Sequence, residues 1–174
     1  MPIQQLDRPL PGEYAPFYAG YIAAVPPGDL VALIATEETR ATVGAFSDAE
    51  ARHRYAAGKW SVKEVVGHIA DTERIMSYRA LRIGRGDETP LPGFEQEDYV
   101  RHTSWDDLPL ATLLDDLGHV RRATLSLFRA FTPEAMLRHG TASGMPVSVR
   151  GLAAIIVGHE RHHLRIIRER YLGQ

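Results

Sequence analysis

The 174-residue chain contains no cysteine. That absence excludes disulfide bridges, thiolate metal ligands and a cysteine nucleophile, so any thiol chemistry must use a thiol brought by a substrate. Long apolar runs are also missing: no stretch approaches the roughly 20 residues that a membrane helix needs. The opening residues MPIQQLDRPLPGEY lack the apolar centre of a signal peptide. Neither sign of charge dominates, since 20 Lys and Arg face 22 Asp and Glu for a formal net charge of -2. Such a chain has no field to draw in nucleic acid or an acidic membrane. The expectation is a single-domain cytoplasmic protein with neither as a partner.

Proline and glycine punctuate the rest. Residues 1–27 hold six prolines, too many for regular helix, and read as an N-terminal arm with at most a short helix around Phe17 to Ala24. The aromatics Tyr14, Phe17, Tyr18 and Tyr21 favour packing of this arm on the body. Residues 28–174 read as a helical bundle. GDLVALIATEETRATVGA, from Gly28 to about Ala45, has apolar residues at helical spacing, with Gly28 or Asp29 as its cap. A short helical turn and a loop around Gly58 follow. Ser61 and Glu64 form a capping box that opens a helix ending at Gly84. A third helix begins near Ser104 or Asp106 and runs to Phe131, with Pro109 tolerated in its first turn. Ser148 starts the fourth. No strand pattern is evident. Four long helices with two long connections predict an all-α, four-helix bundle.

The fourth helix carries VGHERHHLRIIRERY, in which His159, Glu160 and His163 spell the H-E-x-x-H of zinc proteases. At 100° per residue, Leu152, Ile155, Ile156 and Ile166 fall within about 60° of His159, and His163 falls about 40° from it. Two imidazoles therefore sit on the core stripe, one turn apart, where both can reach a single ion. His162 falls at the stripe's edge. His68, mid-way along the second helix beside Val65, Ile69 and Met76, is the best third ligand. His119 is the reserve, and His53, His102 and His139 read as surface residues. Three imidazoles would leave a coordination position open, as catalytic metal sites do.

The protease reading fails on context. The metzincin form requires a glycine turn and a third histidine downstream, but those positions hold Ile166 and Glu169. Glu160, about 60° from His163 on the wheel, is left as a candidate base or as an exposed partner of an arginine. Asp71, one turn from His68, is a candidate to receive its spare N–H.

The flanking text resembles the DinB/YfiT-like superfamily: KWSVKEVVGHIADTE around His68, then H-x-x-x-H-L-x-x-I from His159 to Ile167. The resemblance covers about residues 28 to 171. It implies an up-down-down-up bundle, a divalent metal on His68, His159 and His163 (zinc or nickel foremost), and a homodimer. Relatives include transferases that use low-molecular-weight thiols such as bacillithiol or mycothiol. The expected activity is transfer of such a thiol to an electrophile. Hydrolysis by metal-activated water, with Glu160 or Asp71 handling the proton, is the alternative, and a non-catalytic metal- or ligand-binding stress protein is a third reading.

Overall fold

A computed structural model describes residues 8–173 of the chain. Met1 to Asp7, with Pro2 of the proline-rich arm, and Gln174 lie outside the described residues. The helices are α1 (Ala19–Ala23), α2 (Leu30–Ile34), α3 (Glu38–Val43), α4 (Asp48–Ala51), α5 (Val62–Gly84), α6 (Gln96–Arg101), α7 (Leu110–Arg129), α8 (Pro133–Met136) and α9 (Val149–Ile166). Their starts follow from local chemistry. Ser61 Oγ accepts from the Glu64 N–H while the Ser61 N–H donates to the Glu64 carboxylate, which fixes the first turn of α5. Ser148 caps α9 by accepting from the Gly151 N–H.

The three long helices and the α2–α3 segment form the four positions of the bundle. Helix α5 packs on α7 and α9, while α2 packs on the same two helices from the other side. Directions follow from which ends meet. The buried Lys63, at the start of α5, holds Asp48 at 2.9 Å and donates to the carbonyls of Asp106 and Leu108 just before α7. Gly84, at the end of α5, lies under Phe131 just beyond the end of α7. These two helices are therefore parallel. Thr39 meets Glu160 and Thr42 meets Arg168, so α3 runs with α9. His68 meets His159 while Trp60 accepts from Tyr171, so α9 runs against α5. The order is up-down-down-up.

Several boundaries differ from the sequence expectations. The helix expected over residues 28–45 is broken between α2 and α3, because the Arg121 guanidinium takes the carbonyls of Ile34 and Thr36 at 2.7 and 2.8 Å. Helix α7 starts at Leu110, after a 3-10 turn over Trp105–Asp107, with Pro109 as its N-cap rather than inside its first turn. The connections are also more ordered than expected. The first contains α6, and the second holds an antiparallel hairpin of β1 (His139–Ala142) and β2 (Met145–Ser148). Ser143 and Gly144 turn this hairpin at φ values of 53° and 75°, the two-residue loop that right-twisted strands prefer.

The arm is part of the body. Pro16–Tyr18 forms a 3-10 turn leading into α1, which packs on α9. Gly158 makes this approach possible, since a Cβ there would lie 2.1 Å from the Tyr21 carbonyl oxygen. Further back, Glu13 pairs with Arg150, and its carbonyl accepts from the Ser148 N–H at 2.9 Å.

Apolar burial is divided into two clusters. One takes Met76 to Ile83 of α5, Phe128 of α7 and Val149 to Val157 of α9. The other takes Val62 to Ala70 of α5, Leu110 to Leu117 of α7 and Leu164 of α9. Between them lies a polar layer in which Thr72, Glu73, Arg121, Thr124, His159 and Glu160 are all buried. His68, also buried, adjoins this layer one turn before Thr72.

Candidate metal centre

Helices α5 and α9 carry His68, His159 and His163 to a common point. The Nε2 of His159 lies 2.9 Å from that of His68 and 3.1 Å from that of His163. One ligand atom from each of the three falls within 4.8 Å of the others. Two nitrogens bound at 2.0–2.1 Å to one ion lie about 2.9 Å apart at a right angle and about 3.4 Å apart at a tetrahedral angle. Both observed contacts fall in that range. Hydrogen bonding does not account for them, because one Nε2 offers either a single proton or a single lone pair. It can satisfy one of its two neighbours at most, whereas a cation shared at the centre satisfies all three lone pairs.

Burial keeps these rings in the ligand form. His68 is pulled down to about 4 from its ordinary 6.5, and His163 to about 3, mainly because burial penalises the imidazolium. His159 is held well below its ordinary value by burial and then by the two facing imidazoles. Neutral imidazole is the metal-binding species.

Aromatic rings fix the orientation of the triad. Trp60 packs 4.8 Å from the His68 ring and lies parallel to His163 at 6.3 Å. Tyr21, brought in by the arm, meets the His159 ring edge-on at 5.5 Å and the His162 ring at 5.1 Å. His162 is half-buried, beside the triad but not in it.

The two carboxylates expected to handle protons are directed elsewhere. Glu160 is buried, not exposed: it accepts from the Thr39 hydroxyl at 2.6 Å and pairs with Arg121 at 2.9 Å. Arg121 in turn chelates both oxygens of Glu73 through Nε at 3.0 Å. Burial pushes Glu73 up against the pull of Arg121. Burial works against the Arg121 charge, but Glu160 and Glu73 together hold the guanidinium above its usual value. Asp71 pairs with Arg74 at 3.3 Å rather than with His68. Burial raises it, opposed by Arg74. The reserve ligand His119 is exposed on α7, as are His53, His102 and His139 on their own elements.

Glu73 and Arg121 were not singled out in the sequence, while Tyr21 was read only as an aromatic packing the arm and Trp60 only as part of the text around His68. The signal for Arg121 was present, since it lies on the stripe Leu114, Leu117, Thr124, Phe128, where a cation must find a buried partner.

Beside His159 opens a cleft of about 320 Å³, walled by Tyr18, Tyr21, Met76, Phe94 and Ile155. A separate small cavity of about 30 Å³ adjoins Glu160 and Arg121.

A helical bundle of this direction order, with three histidines converging from two of its helices, defines the class of protein. The chain matches the DinB superfamily over residues 11–167 and belongs to that superfamily. It is 30% identical over 129 residues to a protein of Oceanobacillus iheyensis named "Putative metal-dependent hydrolase", covering 73% of each chain. A protein of Geobacillus thermodenitrificans with the same name is 30% identical over 130 residues, 71% of each chain. The solved structure of YfiT from Bacillus subtilis, described as "a probable metal-dependent hydrolase with an unusual four-helix bundle topology", superposes with a TM-score of 0.71 at 20% identity. That match covers 80% of this chain and 82% of YfiT. Among the described residues, no helix is long and apolar enough to cross a membrane.

Proposed function

We propose that this chain is a metal-dependent enzyme in which His68, His159 and His163 hold a divalent ion, and that it transfers a low-molecular-weight thiol to an electrophilic substrate. The observation that carries the metal assignment is the pair of short contacts converging on His159 Nε2, 2.9 and 3.1 Å. Three imidazole nitrogens suit zinc and nickel alike. An ion bound there lowers the pKa of a thiol or water in its open position and so supplies a nucleophile near neutral pH.

The residues around the triad favour the thiol. Among the described residues, the cluster of potential ligands contains histidines and no carboxylate, and Glu160 is committed to Arg121 and Thr39. Among the described residues, no carboxylate is thus grouped with the triad. A thiol, with an ordinary pKa of about 8.5, is within about two units of ionising at neutral pH. Bulk water, at about 15.7, is roughly nine units away and would depend on the ion for nearly all of its activation. Trp60 and Tyr21 keep the rings oriented, and the absence of cysteine leaves the open position to a substrate thiol.

A second reading, hydrolysis of an ester or amide, is favoured by the names of the Oceanobacillus and Geobacillus relatives. The two part on one experiment. The zinc- or nickel-loaded protein is incubated with a halogenated or epoxide electrophile and a panel of thiols, and separately with esters and amides alone. Conjugation that needs both metal and thiol supports transfer; turnover of esters without thiol overturns it in favour of hydrolysis. Metal content after His68→Ala, His159→Ala and His163→Ala tests the ligand set. Each should fall at least tenfold, and full occupancy in all three would refute it.

A further inference from the structure

The cleft beside His159 carries polar groups that the triad does not use. Thr72 lies one turn after His68 on α5 and lines the cleft. It is 3% exposed, and its hydroxyl has no hydrogen-bond partner. A helical threonine has two accessible χ1 wells, so its hydroxyl can turn toward an occupant without backbone movement. Among the described residues Thr124 is the other buried hydroxyl without a close hydrogen-bond partner, but it faces Glu73 and does not line this cleft.

Ser143 stands at the mouth of the same cleft. It is the first of the two turn residues of the β1–β2 hairpin, which its φ of 53° suits. Arg79 donates to Ser143 Oγ at 3.0 Å, which leaves the serine proton to be donated onward. Arg79 is 2% exposed, donates also to the Pro92 carbonyl at 2.8 Å, and lies under the Phe94 ring that walls the cleft. Among the described residues Arg79 has no carboxylate partner. A buried cation without a counter-charge is costly and attracts one. Glu95 also lines the cleft, but it is exposed. Solvent and salt screen its charge far more than that of a buried guanidinium.

From these placements we propose that the cleft binds a small carboxylic acid with an apolar, ring-sized body. The carboxylate accepts from Ser143 under the Arg79 charge. A second acceptor on the ligand takes the Thr72 hydroxyl near His159, and the aromatic walls hold the ring. The volume of about 320 Å³ suits a ligand of that size. The cleft acts as a substrate subsite only if the triad is the reacting centre.

The test is calorimetric titration of 4-nitrobenzoate and of its uncharged methyl ester into the zinc-loaded protein and into protein stripped with EDTA. The acid should bind at least about tenfold more tightly than the ester, as charge-assisted hydrogen bonds exceed neutral ones. Thr72→Val and Ser143→Gly should each weaken the acid about fivefold or more at unchanged zinc content. Thr72→Val should not lower the melting temperature, since it removes an unpartnered hydroxyl. An ester that binds as tightly as the acid, or variants that bind the acid like the parent, would overturn the proposal. So would binding of the acid that disappears on stripping, because the carboxylate would then be bound by the ion. Zinc retained by all three histidine variants would refute the metal reading and leave these binding results intact.

Discussion

Glu160 and Arg121 are joined by a buried ion pair of 2.9 Å between α9 and α7, with side chains only 6% and 7% exposed. The glutamate that completes a protease-like motif is thereby a strut between helices. Glu160→Gln leaves Arg121 paired with Glu73 and keeps an acceptor for Thr39, so it should cost about 1–2 kcal/mol. Arg121→Met leaves two buried carboxylates without a cation and should cost about 3–5 kcal/mol. Urea unfolding of both variants measures the difference. Glu160→Gln should also keep thiol conjugation within a few-fold of the parent; a loss of a hundredfold or more would restore Glu160 as the base.

Acid should destabilise the metal-free protein earlier than carboxylate titration alone would. Burial depresses His68 to about 4 and His163 to about 3 in the folded state. Unfolded, each titrates near 6.5, so below that pH the unfolded chain binds the extra protons. The stability these groups contribute is complete above pH 6.5 and is lost as pH falls toward 4 and then 3. The slope should be on the order of 1 kcal/mol per pH unit for each histidine. Unfolding free energies between pH 7 and 5 check this, and a flat profile there would show that the imidazoles are not buried as neutral groups.

Gly158→Ala should detach the arm. Its Cβ would fall 2.1 Å from the Tyr21 oxygen and 2.5 Å from the carbonyl carbon, both of them backbone atoms that cannot swing aside. A cost of about 1–3 kcal/mol is expected from such overpacking. Chymotrypsin should then cut at Phe17, Tyr18 or Tyr21 faster than in the parent protein. Unchanged cutting would mean that the arm is held elsewhere.

Thr124→Val is the counterpart without a ligand. Its buried hydroxyl meets no partner at close hydrogen-bonding distance but faces the Glu73 carboxylate, which it helps to hold down, so replacing it by a methyl should change stability by no more than about 1 kcal/mol. Binding of 4-nitrobenzoate should not change. A clear loss of stability would reveal a hydrogen bond at Oγ1.

What could be read from the chain was what depends on neighbours along it. The caps at Ser61 and Ser148, the end of α5 at Gly84 and the stripe that carries His159 and His163 follow from spacing alone. The fate of Glu160 did not, because it depends on Arg121 and Thr39, 39 and 121 residues away. Asp71 sits one turn from His68, yet Arg74 on the same helix and Asp116 on α7 determine its surroundings. The break before α3 was hidden for the same reason: only a guanidinium from α7 makes the Ile34 and Thr36 carbonyls leave a helical ladder. The hairpin escaped because strands of four residues are too short for alternation to register. Its Ser143-Gly144 pair was the available sign.

The pairing of His68 with His159 spans 91 residues, and that of Glu13 with Arg150 spans 137. At 5–20 residues per second, a ribosome needs about 5–18 s to pass from the first histidine to the second. During that interval His68 has no companion, and the arm has no α9 to rest on. On the proposed metal assignment, capture of an ion is therefore the last step in building the site. It waits on the meeting of segments 91 residues apart.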